Sequence, residues 1–420
     1  MVWSMVSATL QIGNWEIDDK DYKKDPNKPC KIVRNEYYDK GCKLLGLDKD
    51  KVEADIAVLL MTIGDKQVPK VRNPYDVQLI IEALAKDVFE KLFNWMVRKC
   101  NTALLPKADD QIPDGSFNSF GLLDIFGFEN FDMNSIEQFC INYTNEKLQF
   151  LYITYVFTGE KTIFINEGLA DKIGVIHCTD NSSIIELMDK AKSPPGIFNL
   201  LDSNCIANKD DKALLAAIEK SHKSNGRFQT TRIQKEGKEV FKVVHSARMV
   251  AYCVWGFTEK NKDELPADLA DTCRAGSPVF SRIFQGKITD DEVLEEVKHS
   301  SKDKFLGYKF RAQMSELMEE LGSCQCNFMR CLKANELKKP NIWITNLALK
   351  QLVYLGILDT INLRKMALPM RFEFAEFYKH FQDLDGQSPN RGDAFPALVE
   401  ANADFKIMAQ ATVNSIRPKA

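Results

Sequence analysis

From Asn73 to Cys100 the apolar residues Val77, Ile80, Ile81, Leu84, Val88, Leu92 and Met96 recur at steps of three and four. Side chains at those steps stack on one face of an α-helix, so this segment must bury a single long stripe. Asn73 is a good cap, and Pro74 occupies the first turn, where its missing N–H costs nothing. A helix of that length needs several other elements to cover it. The chain has 420 residues, 45% hydrophobic and 27% charged, which is globular composition and excludes a disordered tail or a collagen. Length alone sets a prior of about two to three domains.

Lys and Arg total 56 against 59 Asp and Glu, a net charge of -3. That balance argues against nucleic acid as the main partner, and none is expected. No apolar run reaches the ~18 residues needed to span a bilayer, so no transmembrane segment is expected. The stretch from Val2 to Ile12 lacks a basic flank and does not read as a signal peptide. The 11 cysteines are scattered, and we read them as reduced thiols of a cytoplasmic protein. Cys324, Cys326 and Cys331 cluster, but no histidine lies at ligand spacing, so buried thiols are expected there rather than a metal site.

Along the chain, Val2 to Trp15 reads as the back half of an uncapped helix, Asp18 to Pro29 as a loop, and Asn35 to Leu47 as a helix. Gln111 to Ser119 is turn-rich. Phe120-Gly121-Leu122-Leu123-Asp124-Ile125-Phe126 is a short apolar run consistent with a buried strand. Ser135 and Gln138 form a capping box that opens a helix to about Val156. Arg227 to Ile233, Glu239 to His245 and Met249 to Trp255 read as strands, with Trp255 as a core or strand anchor. Phe305 to Leu321 and Leu347 to Lys365 read as helices, and Arg371 to Phe381 with Ala394 to Ser415 as a small α/β tail.

Asp124 and Gly127 form D-x-x-G after the apolar run. In phosphate-handling α/β proteins such an Asp orients magnesium-bound water, and the Gly lets a backbone N–H approach the terminal phosphate. Taken alone, the motif reads more often as a plain turn.

The wider string is more specific. Leu123-Asp124-Ile125-Phe126-Gly127-Phe128-Glu129, Asn134-Ser135-Ile136-Glu137-Gln138 and Ile141-Asn142-Tyr143-Thr144-Asn145-Glu146-Lys147-Leu148-Gln149 together resemble the switch II loop and relay helix of the myosin motor domain. The resemblance continues in order. Glu82 to Lys86 with Leu92 to Trp95 resembles the long helix before switch II, and Gly196 to Asp202 the helix-loop-helix that meets actin. Val254 to Phe257 with Glu259 to Asp263 resembles the lower 50-kDa region, and Asn327 to Glu336 the F-[IV]-R-C-[IV]-K-P-N-E block. Gln351 to Pro369 resembles the SH2 and SH1 helices, and Phe374 to Phe381 the start of the converter.

The resemblance implies an α/β, P-loop NTPase-like motor head, present in part. It would have central sheet strands, long relay and SH helices and a lower 50-kDa subdomain over 1–370, with a partial converter over 371–420. It implies an actin-activated ATPase that uses ATP with Mg2+, with actin filaments and light chains as partners and a cytoplasmic, cytoskeletal location. Asp124 would position magnesium through water, Gly127 would contact the γ-phosphate, and Glu129 would pair with a switch I arginine. Ser135, Asn142, Asn145 and Glu146 would carry motion along the relay. Ile197, Phe198, Leu200 and Leu214, with Lys302 and Lys304 of a mixed-charge loop 2, would meet actin. Gly356 and Ala367 would be hinges.

The sequence has no G-x-x-x-x-G-K-[ST] phosphate loop and no switch I block. It therefore reads as roughly the second half of a motor domain, unable to hydrolyse ATP by itself. A nucleotide-incompetent actin-binding fragment and a truncated gene model are the alternatives. His245-Ser246-Ala247-Arg248 replaces His-Tyr-Ala-Gly, Tyr354 and Arg364 replace the SH2 and SH1 cysteines, Ala367 replaces the fulcrum glycine, and Lys66 replaces an acidic or phosphorylatable residue. Those departures are similar to the class XIV myosins of apicomplexan parasites.

Overall fold

The structure, a computed structural model, describes residues 2–63, 66–104, 120–166, 180–235, 238–262, 265–285, 305–358 and 360–361. Two compact units can be separated. The first draws on 1–147, 183–245 and 249–325, the second on 148–182, 246–248 and 326–420. The expected boundary at 370/371 falls outside the described residues.

The first unit opens with α1 (Val2–Ile12), β1 (Ile17–Asp18), α2 (Lys20–Lys24), β2 (Lys31–Ile32), α3 (Glu36–Leu45) and α4 (Lys49–Ala57). The hairpin β3 (Val58–Ile63) and β4 (Lys66–Val71) and the long α5 (Pro74–Leu104) follow. The charged stretch expected as a loop thus holds the one-turn α2. Asn35 caps α3 by accepting from the N–H groups of Tyr37 and Tyr38, and the Asn73 carbonyl oxygen Oδ1 accepts from the Asp76 N–H at 2.8 Å. Val77, Ile81, Leu84, Val88, Leu92 and Trp95 of α5 are buried with Tyr38, Cys42, Leu45, Ile56, Phe280 and Ile283. Trp95 continues the stripe where the sequence suggested Met96, which is exposed. A repeat of 3.6 residues drifts off any strict three-four pattern over the roughly five turns of the stripe.

The remaining elements are α6 (Ile136–Asn166), α7 (Ser182–Asp189), α8 (Ile197–Ile206), α9 (Asp211–His222), β5 (Phe228–Lys235), β6 (Lys238–Val244) and β7 (Met249–Cys253). They are followed by α10 (Phe257–Asn261), α11 (Ala267–Arg274), α12 (Pro278–Phe284), α13 (Leu306–Ser323) and α14 (Thr345–Tyr354). A second core joins the first twelve residues of α6 to α7–α10, α13 and the antiparallel sheet β5-β6-β7. Phe241 lies opposite Tyr252 in that sheet, with ring centroids 5.5 Å apart, and Phe139 of α6 meets Tyr252 edge-on at 5.2 Å. These offset and edge contacts suit the aromatic quadrupole and set α6 against the sheet.

Three expectations are corrected. Phe120 to Phe126 forms no strand, and Phe120, Leu122, Leu123 and Phe126 are exposed. An apolar run becomes a strand only where a partner supplies the ladder, and the described sheets are small, antiparallel and two- or three-stranded. Trp255 is 64% exposed, not a core anchor. Cys324 and Cys331 are exposed, and no group of three metal-ligating side chains occurs among the described residues. No described helix is long and apolar enough to cross a membrane.

The second unit contains the C-terminal part of α6 and α14. The helix expected to run to Lys365 is interrupted after Tyr354, because Gly356 takes φ +69°, and residues 357–358 and 360–361 are helical again. Only glycine adopts that region without strain. Arg330 lies over the Tyr152 ring at 4.2 Å and donates to Gln149 Oε1 at 3.1 Å.

Candidate switch loop and relay helix

Asp124, Gly127 and Glu129 lie on 120–135, a stretch without helix or strand that carries one isolated bridge, from Asn134 to Tyr252. Its backbone groups still need partners, and side chains of α6 supply them. Asn145 Nδ2 donates to the Phe126 carbonyl at 3.1 Å. Asn142 Oδ1 accepts from the Glu129 N–H at 2.9 Å, and its Nδ2 donates to the Glu129 carbonyl at 2.8 Å. An asparagine amide presents acceptor and donor side by side, so it pairs with a residue's backbone as a neighbouring strand would.

The base of the loop is held in the same way. Gln138 Oε1 accepts from the Ser135 N–H at 2.9 Å, one half of the capping box, and its Nε2 donates to Glu129 Oε2 at 3.3 Å. Asn134 Oδ1 accepts from the Phe131 N–H, its Nδ2 donates to the Ala251 carbonyl, and its own carbonyl accepts from the Cys253 N–H at 2.9 Å. Lys260 donates to Ser135 Oγ and pairs with Glu137 at 2.7 Å. Burial, the largest single cause, would raise the Glu137 carboxyl, but the Lys260 hydrogen bond and charge, together with hydrogen bonds from its own backbone and Ser135, leave the group below its ordinary value.

Asp124 is exposed, and a Cβ built on Gly127 would meet nothing within 4 Å. The loop therefore presents an exposed carboxylate and an uncrowded glycine backbone three residues apart. Magnesium commonly takes one or two protein carboxylates and fills its remaining positions with water and phosphate oxygens. Asp124 and Gly127 fit one wall of such a site.

A buried polar chain lies beneath the loop. Asn142 Nδ2 also donates to Tyr252 Oη at 2.8 Å, Tyr252 Oη lies 2.8 Å from His245 Nε2, and His245 Nδ1 lies 3.2 Å from Glu146 Oε1. The sequence reading missed Tyr252 and His245 as parts of the site. Each reads locally as one more residue on or beside an alternating strand.

The helix-loop-helix is α8 and α9. Ile197, Phe198 and Leu214 are fully buried in the second core and present no surface, and Leu200 is half-buried. Ile197, Phe198 and Leu214 thus pack inside the unit, and Leu200 keeps part of its surface. Arg311 of α13 ties the pair down. It bonds Asp189 at 2.7 Å and Asn199 at 3.1 Å, pairs with Asp202, and lies over the Phe198 ring at 5.5 Å. Tyr143 of α6 donates to the other Asp189 oxygen at 2.6 Å. Lys302, Lys304 and Ala367 lie outside the described residues.

The sequence profile of the family described as myosin head (motor domain) matches residues 1–415. The chain belongs to the myosin head family. It is 32% identical to Myosin-B/C of Toxoplasma gondii over 97% of its own length and 33% of that relative. With Myosin-D of the same parasite the figures are 33%, 97% and 48%. With Myosin-A of Plasmodium falciparum (isolate 3D7) they are 29%, 92% and 45%. The chain thus spans less than half the length of these myosins. The stretch 120–166 therefore belongs to a myosin head, and its loop and helix are the elements that the sequence resemblance singled out.

Proposed function

We propose that this chain supplies the switch II loop, relay helix and actin-facing helix-loop-helix of an actin-based motor that couples ATP hydrolysis to movement on filaments. The observation that carries the reading is the attachment of the loop to α6 through Asn142, Asn145 and Gln138. A displacement of the loop then becomes a displacement of a stiff helix of 31 residues that contributes to both units.

In this reading Asp124 holds water on magnesium and the Gly127 N–H meets the terminal phosphate of ATP. Glu129 pairs with a switch I arginine. Bound ATP·Mg2+ supplies the phosphoryl group and the charge around which the loop closes, and such catalysis is mostly positioning and electrostatics. A P-loop NTPase-like central sheet, a phosphate-cradling lysine and a partial converter over 371–420 complete the assembly, with light chains as partners. The location is cytoskeletal. Actin contact falls to exposed positions of α8 and α9, such as Ile206, with Lys302 and Lys304 of the expected loop 2.

Co-sedimentation of the intact protein with actin filaments, with and without ATP, tests this. Pelleting with actin and release by ATP is the expected result. Pelleting insensitive to ATP would leave the nucleotide-incompetent actin binder, and no pelleting in either condition would remove the motor reading.

A further inference from the structure

The polar chain under the loop has a direction, and the backbone of Glu129 sets it. A backbone N–H can only donate and a carbonyl can only accept. Asn142 must therefore turn Oδ1 to the Glu129 N–H and Nδ2 to the Glu129 carbonyl. That leaves one Nδ2 hydrogen, and it is aimed at Tyr252 Oη at 2.8 Å. The Tyr252 oxygen is an acceptor in this contact, so its own hydrogen must go elsewhere. The remaining partner among the described residues is His245 Nε2 at 2.8 Å. Nε2 must then carry a lone pair, which places the ring proton on Nδ1, facing the Glu146 carboxylate at 3.2 Å.

The surroundings keep this order. Burial pushes the Tyr252 phenol above its usual range, so it stays a donor. Asn142, His245, Tyr252 and Glu146 are all buried, so water does not compete for the contacts. Phe128 of the loop itself meets the His245 ring edge-on at 5.3 Å.

We infer that His245 is a positioning residue for the switch loop: as the Nδ1–H tautomer it orients the Tyr252 hydroxyl, which locks the Asn142 amide onto both backbone groups of Glu129. A hydroxyl pointing the other way would set its hydrogen against the Asn142 donor and release the Glu129 carbonyl from its partner. A buried network with every member matched is rigid, and one reversed member leaves a donor facing a donor. The consequence for nucleotide turnover rests on the motor reading. The proton order does not.

The first test is 15N NMR of the unaltered chain labelled at its five histidines, with His245→Gln identifying the resonance. The expected signature is protonated Nδ1 and bare Nε2. A Nε2–H tautomer or a doubly protonated ring at neutral pH overturns the inference. The second test is hydrogen exchange of the Glu129 N–H. Tyr252→Phe should speed it about five- to tenfold, the effect of losing about one hydrogen bond, and leave the α9 amides unchanged. His245→Leu should do the same in the wild-type background and add nothing in the Tyr252→Phe background. His245→Gln, which can offer an oxygen to Tyr252 and an N–H to Glu146, should restore slow exchange. Unchanged exchange in Tyr252→Phe overturns the coupling. If a variant does not fold, the NMR of the unaltered chain still decides. None of these readouts uses nucleotide or actin, so failure here and failure of the motor reading are separate results.

Discussion

Asn142 pairs with Glu129 as one strand pairs with another, accepting from its N–H at 2.9 Å and donating to its carbonyl at 2.8 Å. Thirteen residues separate the two in sequence, and the pairing ties a loop without regular structure to the first turns of α6. Asn142→Ala should cost about 2–4 kcal/mol, since it removes three contacts and leaves buried groups unmatched. Asn142→Asp should be no milder, because it sets a carboxylate oxygen against the Glu129 carbonyl, which can only accept. Chemical denaturation of the three proteins side by side checks both.

Arg311 is the cation between Asp189 and Asp202, and Asp202 is almost fully buried. Arg311→Met should destabilise the chain by about 3–5 kcal/mol, because a buried carboxylate loses its counter-charge. Arg311→Lys should recover only part of this. One ammonium cannot reach Asp189, Asn199 and Asp202 in the plane that the guanidinium spans. Equal stability of the Lys and Arg forms would contradict the fork geometry.

Gly356→Ala should lower stability by about 1–2 kcal/mol from the left-handed backbone alone. A Cβ at that position would come within 2.9 Å of Gln149 Nε2, and Gln149 also accepts from Arg330. The loss should shrink if Gln149 is shortened to Ala in the same chain. A double-mutant cycle on thermal midpoints measures that coupling.

Cysteine chemistry should divide by burial. Desolvation pushes the Cys42 thiol up to about 11 and those of Cys140 and Cys273 up to about 12. Iodoacetamide at pH 8 should therefore modify the exposed Cys100, Cys324 and Cys331 first, with mass spectrometry as the readout. The sign also sets a pH dependence. These folded values lie above the ordinary thiol value of 9.0, so the stability they carry is complete below about pH 9. It declines as the pH rises from there towards 12, because the unfolded chain gives up its protons first. A denaturation midpoint that stays level from pH 9 to 11 would contradict this.

Legibility in the sequence followed the range of the interaction. Periodicity and caps act within a few residues, so α5 with Asn73, α3 with Asn35 and the start of α6 at Ser135 were readable. The sheet β5-β6-β7 was readable too, because its alternation is local and each strand pairs with its neighbour in the chain. Phe120 to Phe126 was not. Its apolar character is local, but its state depends on a partner that the described sheets do not provide. Trp255 and the thiols of Cys324 and Cys331 were misplaced for a related reason, since residue type sets a preference for burial but not the neighbours that achieve it.

The loop that carries the Asp124–Gly127 motif divides the same way. The amino-acid sequence by itself determined the family, the long helices, and the placing of Asp124, Gly127 and Glu129 just ahead of a capped helix, because all of these are carried by order and short spacing. Only the tertiary structure decided what holds that loop. Asn142 and Tyr252 are 110 residues apart and Glu146 and His245 are 99 apart, and no local pattern marks either pair. Folding brings them within 2.8 and 3.2 Å in a place closed to water, where each polar group has to be matched by another from the chain.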